Sequence, residues 1–329
     1  MTTTKAPWSQ LRLRQSPAMR DLVAETTFSV SQLIQPLFMV EGLSGAHPIA
    51  GLGDNARLGE AAALEQIARD LDAGVRHFLL FSVPATKVGA GATHCRPQDF
   101  AHVRRSTAAI KEKFGDAVTL WVDICLCSTT DHGHCGLLEP GGRISLGPTL
   151  DALGKMAVEV AEAGADGVSP SDMMDGRTAH LRAALDARGH ERVPVMSYST
   201  KFASQFYGPF REAASSAPQF GDRRHYQIDV RSRRDAIASS VRCAEEGADL
   251  LMVKPGMTSI DLIAPIASAT GKPVGAYQVS GEYAGMLALA GQGLVKFDLA
   301  LLETWHVFRR AGAAYVITYG ARQARALGL

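Results

Sequence analysis

No apolar run in this chain approaches the roughly 20 residues a membrane-spanning helix needs, so nothing reads as an integral membrane segment. Charge of one sign is equally absent. The 34 Lys and Arg stand against 33 Asp and Glu, a net charge of +1, which gives no basis for a polyanionic partner or an anionic lipid surface. The opening M-T-T-T-K-A-P-W-S-Q-L-R-L-R lacks the apolar core of a secretory signal, and a cytoplasmic protein is expected. Internal repeats and low-complexity tracts are missing. The best glycine-rich run, V-G-A-G-A-T-H around Gly89 and Gly91, lacks the third glycine of a dinucleotide loop. Cysteine is scarce and odd in number: Cys95, Cys125, Cys127, Cys135 and Cys243. That excludes a disulfide framework, and the crowding of three of them points to a thiolate metal site.

What is present is the composition of an ordinary globular protein, 46% hydrophobic and 20% charged over 329 residues. Eight short apolar runs read as strands, at 33–40, 77–83, 119–125, 167–171, 194–199, 249–253, 274–280 and 315–319. Between them lie helix-like segments at 58–73, 100–114, 150–163, 179–187, 233–246, 260–269 and 297–311. In the last of these, Phe297, Ala300, Leu301, Thr304, Trp305 and Phe308 recur at helical spacing. Several helices end in A-G-A or E-G-A, with glycine where a helix terminates. Eight strands alternating with helices predict an α/β fold of the (β/α)8 TIM-barrel type, with a doubly wound open sheet as the competitor. Residues 1–30 form an N-terminal arm carrying Arg12, Arg14 and Arg20, which we expect to contact a neighbouring subunit. The barrel then occupies 31–329, and the long Gly/Pro/Ser-punctuated insert at about 202–228 reads as an active-site lid.

Two lysines share one setting. Lys201 ends P-V-M-S-Y-S-T-K, and Lys254 ends A-D-L-L-M-V-K, each closing an apolar strand just before a loop. Burial and a second ammonium nearby both favour the neutral amine, which forms Schiff bases with carbonyl substrates. The competing reading is two side chains snorkelling to solvent. In W-V-D-I-C-L-C-S-T-T-D-H-G-H-C-G, Cys125 and Cys127 are two apart and share one side of an extended strand, and the loop can return Cys135 to them. Three thiolates then occupy three corners of a tetrahedron. An open fourth corner is the catalytic pattern for zinc, whereas His132 or His134 would close a structural site. Asp123, two residues before Cys125, faces the same cluster and can orient a ligand or move a proton. The lid contributes Arg211, Arg223 and Gln227, fit for gripping a carboxylate, and Arg224, expected to be solvated. Ser280 and Tyr319, read as strand-end hydroxyls, can hold a second carboxylate.

With these residues in place, the chain resembles the δ-aminolevulinic acid dehydratase (porphobilinogen synthase) family. The resemblance is carried by D-I-C-L-C-S-T-T-D-H-G-H-C-G, P-S-D-M-M-D-G-R, M-S-Y-S-T-K-F-A-S-Q-F-Y-G-P-F-R-E-A, G-D-R-R-H-Y-Q, M-V-K-P-G, V-S-G-E-Y and R-A-G-A-A-Y-V-I-T-Y. Weaker similarity in R-L-R and Q-L-I-Q-P-L-F-M extends it to nearly the whole chain. It implies a lyase of tetrapyrrole and heme biosynthesis that condenses two 5-aminolevulinate molecules to porphobilinogen with loss of two waters. Lys254 would bind one substrate, its carboxylate on Ser280 and Tyr319. Lys201 would bind the other, its carboxylate on Arg211 and Arg223 with Gln227 nearby. Zinc on Cys125, Cys127 and Cys135 would act on the second substrate. Asp123, Ser171 and Asp172 would line the pocket, Asp172 as a proton carrier or a partner of the substrate amine, with Phe81 and Phe210 as apolar walls. The resemblance also implies a homo-octamer built through the arm, with a hexamer as the variant. Another Schiff-base aldolase on a TIM barrel is the alternative activity, and a zinc-stabilised binding protein the alternative class.

Some positions depart from the family pattern. His225 stands where some zinc-type members have another cysteine, and it reads as a solvated lid histidine. Thr129 and Leu146-Gly147 differ without a reading of their own. Where many members carry a Glu and an Asp for a distant magnesium, this chain has Ser239 and Cys243, neither of them a hard carboxylate ligand. No allosteric magnesium is expected there. Millimolar magnesium should therefore leave the activity of the zinc-loaded enzyme unchanged in a steady-state assay, and a strong activation would contradict this expectation.

Overall fold

The computed structural model describes residues 10–87 and 99–329. The glycine-rich run around Gly89 and Gly91, Cys95 and the first nine residues of the arm lie outside the described residues. The strands are β1 (Leu33–Val40), β2 (Ala46–Pro48), β3 (Ala56–Leu58), β4 (His77–Val83), β5 (Thr119–Ile124), β6 (Gly167–Pro170), β7 (Met196–Lys201), β8 (Leu250–Lys254), β9 (Val274–Tyr277) and β10 (Val316–Ile317). Eight of them run parallel in the order β6-β5-β4-β1-β10-β9-β8-β7. The two ends of that series meet. A parallel bridge joins Val168 to Val195, and Val168 N donates to Pro194 O at 3.0 Å. The sheet is therefore closed, which settles the choice between barrel and open sheet. β1, β7 and β9 are buried along their whole length, as expected for strands covered on one side by helices and on the other by the barrel interior.

The helices are α1 (Pro17–Leu22), α2 (Glu60–Asp72), α3 (Ala101–Phe114), α4 (Leu146–Glu162), α5 (Arg177–Asp186), α6 (Gly208–Ala213), α7 (Arg233–Glu245), α8 (Ile263–Thr270), α9 (Ser280–Gly291) and α10 (Phe297–Arg310). α10 buries Leu301, Trp305 and Phe308 of the stripe read from the sequence, while Phe297, Ala300 and Thr304 are half-buried. Three differences from the sequence reading matter. The seventh barrel strand stops at Tyr277, and Ser280 opens α9 instead of ending a strand. The cause is Glu282, whose carboxylate accepts Val279 N at 2.9 Å and caps the helix start. α4 begins at Leu146, four residues early, because Pro148 is tolerated in a first helical turn, where its missing N–H has no partner to lose. The short β2–β3 hairpin, antiparallel within itself and paired to β1 through β3, was not expected at all.

A bulge sets the geometry of β7. Ser197 faces Leu251 on β8, yet Thr200 faces Val253, so β7 spends three residues where β8 spends two. Tyr198 and Lys201, three apart, would point to opposite sides of a regular strand. The extra residue puts both into the barrel interior, where Lys201 Nζ lies 5.7 Å from the Tyr198 ring centroid. The lid begins and ends at one place. Phe202 and Ile228 form a parallel bridge, and Ile228 N donates to Lys201 O at 3.0 Å. The described part of the arm buries nothing in α1, and Leu11 and Leu22 are 73% and 79% exposed.

Glycine is required at 275 on β9, where an added Cβ would lie 2.2 Å from the Tyr315 ring. That ring is fixed by its hydroxyl, which donates to Leu251 O at 2.8 Å. Gly275→Ala is expected to destabilise the barrel by about 1–3 kcal/mol through overpacking, read as a lower denaturation midpoint in urea.

Candidate active site

The register of β7 and β8 pairs Lys201 directly with Lys254. Adjacent strands lie roughly 4.8 Å apart, so the two side chains leave the same end of the barrel side by side. Both are almost fully buried. Lys201 Nζ donates to Ser171 O, whereas Lys254 Nζ sits among aromatic rings. Burial and the neighbouring Lys201 charge push the Lys254 amine well below the usual lysine range, which favours its nucleophilic form. Neither lysine snorkels to solvent. Asp123, near the end of β5, is pushed up to about 6 by desolvation, partly offset by Ser171 and the two ammonium groups. Its Oδ1 has no hydrogen-bond partner, leaving an acceptor free inside the mouth.

Cys125, Cys127 and Cys135 come together in the loop after β5, all buried, with their sulfurs within 4.8 Å of one another. With zinc–sulfur bonds of about 2.3 Å, such a trio fits three corners of a tetrahedral ion. Hydrogen bonds from Cys125 and Cys127, aided by the charges of Arg223 and Lys201, favour the Cys135 thiolate. Neither histidine of the run joins the trio. His132 Nδ1 accepts His134 N at 3.1 Å, and the His134 ring bonds Phe220 O at 3.1 Å and Tyr226 OH at 3.2 Å. Among the described residues no histidine nitrogen or carboxylate oxygen joins the three sulfurs as a further clustered donor.

The lid lies over this loop. Ser128 Oγ donates to Ala214 O at 3.1 Å, Gln219 N to His132 O at 3.0 Å, and Arg223 Nη2 to Gly133 O at 2.9 Å. Gly133 has φ +71, and a Cβ there would lie 2.3 Å from Ala217 O, so only glycine lets the two backbones meet. Arg211 Nε, Arg223 Nε and Gln227 Nε2 are all buried without a partner. The charge on Arg211 is opposed by burial and by Arg223. Three unsatisfied donors and two crowded cations leave this part of the insert short of a negatively charged partner. On the other side, Ser280 Oγ accepts Phe210 N at 3.1 Å, and Tyr319 OH lies 3.3 Å from Tyr277 OH. Ser280 thus meets the lid as well as the mouth.

The profile described as "Delta-aminolevulinic acid dehydratase" matches residues 9–327. The chain belongs to the delta-aminolevulinic acid dehydratase family. It is 42% identical over 317 residues to the Halalkalibacterium halodurans enzyme of that name, covering 94% of each chain. It is also 42% identical over 318 residues to the Synechocystis enzyme, covering 95% of this chain and 96% of the relative. Among solved structures, the Toxoplasma gondii delta-aminolevulinic acid dehydratase in complex with porphobilinogen superposes with a TM-score of 0.90 at 37% identity, covering 96% of this chain and 90% of that one.

The remaining dehydratase-family positions fall into place unevenly. Phe81 and Phe210 pack edge to face at 4.9 Å, with Phe38 stacked on Phe81 at 5.3 Å. Asp172 is fully buried away from solvent, its Oδ1 accepting Met174 N at 2.7 Å and its Oδ2 facing Arg177 Nε at 3.9 Å. It braces the turn that carries Ser171. Arg224 and His225 are exposed, as read, with the His225 ring against Tyr226 at 4.6 Å. Thr129 is buried in a turn, its hydroxyl donating to Leu126 O at 2.9 Å. Sequence reasoning missed Tyr198, Tyr207, Tyr277 and Glu282. The first three ring Lys254, and Tyr207 OH also donates to Phe202 O at 2.7 Å. Glu282 accepts Met257 N at 2.8 Å and Thr258 N at 3.3 Å, tying the loop after Lys254 to the start of α9. Only its place in V-S-G-E-Y hinted at this, as a carboxylate in a first helical turn.

Burial raises the Glu282 carboxyl to about 7 from an ordinary 4.5, so the native state holds this proton to higher pH than the unfolded chain. The stability it contributes is full at low pH and declines as pH rises through that window. Wild type measured against Glu282→Gln by chemical denaturation should lose relative stability between about pH 4.5 and about pH 7, then level off. A level difference across the window would mean the carboxylate is ionised throughout.

Proposed function

We propose that this chain condenses two molecules of 5-aminolevulinate to porphobilinogen with loss of two waters, through imines on Lys254 and Lys201. The observation that carries the reading is the side-by-side register of two buried lysines at one barrel mouth, beside three clustered sulfurs. Membership of the family and the product-bound Toxoplasma gondii relative support it. The Lys254 amine attacks one ketone, whose carboxylate is held by Ser280 and Tyr319. Lys201 takes the second ketone, and the unpartnered donors of Arg211, Arg223 and Gln227 grip its carboxylate. Cys125, Cys127 and Cys135 would hold a zinc ion, which would supply Lewis-acid chemistry for the second substrate. Asp123, with its free oxygen among the lysines, receives and returns protons, and Ser171 holds Lys201 toward it. Asp172 braces the turn that follows Ser171 by accepting from Met174 N. Phe81 and Phe210 exclude water from the imines, and the docked lid completes the exclusion.

The same reading carries a cytoplasmic location and a homo-oligomer, octameric or hexameric, built through the arm. The exposed Leu11 and Leu22 support the second point, since apolar side chains facing water are better covered by a neighbour. Among the described residues no helix is long and apolar enough to cross a membrane. The absence of an allosteric magnesium is supported by Ser239, whose hydroxyl donates to Ser199 O at 2.7 Å, and by Cys243, which is buried. A one-lysine aldolase would have no use for the sulfur trio, and a mere binding protein none for paired buried amines.

Borohydride reduction with 5-aminolevulinate, followed by peptide mapping, is expected to label Lys254, Lys201 or both, and label on neither would sink the reading. Lys254→Met removes the nucleophile without adding a charge to the buried site and should lower kcat by roughly 10³-fold or more. Cys127→Ala should reduce bound zinc per chain, measured by atomic spectroscopy, together with turnover.

A further inference from the structure

The two lysines differ in what surrounds them. Around Lys254 Nζ stand the rings of Tyr277, Tyr198, Phe210 and Tyr207, with centroids at 4.0, 4.8, 4.9 and 5.5 Å. Among the described residues Lys201 Nζ has one ring within reach, Tyr198 at 5.7 Å, and a backbone carbonyl to bond. Tyr277 is held square to its task. It is the last residue of β9 and fully buried, its ring is 6.2 Å from that of Tyr198, and its hydroxyl meets Tyr319 OH at 3.3 Å.

Ring faces attract cations through their quadrupole, and cages of several rings select soft, weakly hydrated cations. A primary ammonium is a poor guest, because its three N–H bonds lose water and gain no acceptor. A protonated imine keeps one N–H and spreads its charge over nitrogen and carbon, so it loses less hydration on entering the same cage. We propose that the four rings, Tyr277 foremost, form a cage that favours the protonated imine of Lys254 over its free ammonium, making Tyr277 a further catalytic residue.

This rests on the Schiff-base reading above and adds to it. In the step concerned, the nitrogen lone pair forms the C–N bond and the ketone C–O bond breaks. The oxygen leaves as water, and nitrogen retains one proton and the positive charge. Neutral amine, ketone and one proton from an acid group of the mouth or from solvent thus give iminium and water. The cage acts on the charged product of this step and little on the neutral amine that starts it, which is how binding energy becomes catalytic. Because only one lysine is caged, the long-lived cation belongs to Lys254, and the amine of Lys201 works beside it.

The test replaces Tyr277 with phenylalanine and then with mono-, di- and trifluorophenylalanine, which weaken the ring quadrupole with little change of shape. The probe is 4-oxopentanoate, which keeps the ketone and carboxylate of the substrate and lacks the amine needed to go further. Imine on Lys254 is trapped with borohydride and quantified by peptide mapping against probe concentration. The apparent dissociation constant should rise step by step with fluorination, roughly tenfold across the series, while zinc content and melting temperature stay level. A flat series with Lys254 trapped in every variant overturns the cage and leaves the Schiff base standing. No trapping at Lys254 in the wild-type enzyme overturns the Schiff-base reading itself, and the cage with it.

Discussion

Two cations placed opposite each other on neighbouring parallel strands are the constraint around which the barrel mouth is arranged. Parallel register makes Lys201 and Lys254 partners, and burial removes the water that would otherwise screen them. Such a pair is stable only when one amine gives up its proton or when negative charge comes close. The surroundings provide both. Asp123 and the favoured thiolate of Cys135 supply negative charge, and burial together with the neighbouring Lys201 charge makes Lys254 the amine that yields. The loss of that proton makes it a nucleophile, so the electrostatic cost of the arrangement is also its chemical use.

The sulfur loop and the lid form one surface. Hydrogen bonds from Ser128, Gln219 and Arg223 knit the loop to the lid, and Tyr226 OH accepts Cys135 N at 3.3 Å. An ion held by the sulfurs would therefore fix the backbone on which the lid rests. The unpartnered donors of Arg211, Arg223 and Gln227 all lie on this same insert, so the segment that rests on the sulfur loop also carries the free donors. On the opposite side, Ser280 and Gly281 meet the lid near Phe206, where a Cβ at Gly281 would lie 2.7 Å from Phe206 O. The insert thus touches both the sulfur loop and the start of α9.

Glu282 joins two loops that the sequence separates by more than twenty residues. Its two oxygens accept from Val279 on one side and from Met257 and Thr258 on the other. Tyr207 OH, also bonded to Lys254 O at 3.2 Å, ties the lid to the same point. Lys254 therefore leaves its strand between a carboxylate clamp and a tyrosine anchor, with few ways to move. Such restraint holds a nucleophile in one attack geometry.

Local chemistry made much of this protein legible in its sequence. Cys125 and Cys127 share a side because alternation along a strand is a property of the backbone. Each lysine announced itself by ending an apolar run, and the eight-strand rhythm gave the barrel. The exceptions were decided by partners distant in the chain. Ser280 opens a helix because Glu282 caps it, and the bulge that turns Tyr198 and Lys201 the same way exists only against β8. Tyr277 looks like any buried strand aromatic until its ring is seen beneath Lys254 Nζ. The histidines offered a fourth sulfur-loop ligand on spacing alone, yet His134 is bonded to Phe220 and Tyr226 of the 202–228 insert and the His132 ring accepts from His134 N. The sequence by itself determined which groups are present and which way each strand faces, since those follow from composition and short-range geometry. Only the tertiary structure decided which groups meet, because contacts between distant segments depend on register, bulges and closure of the whole ring.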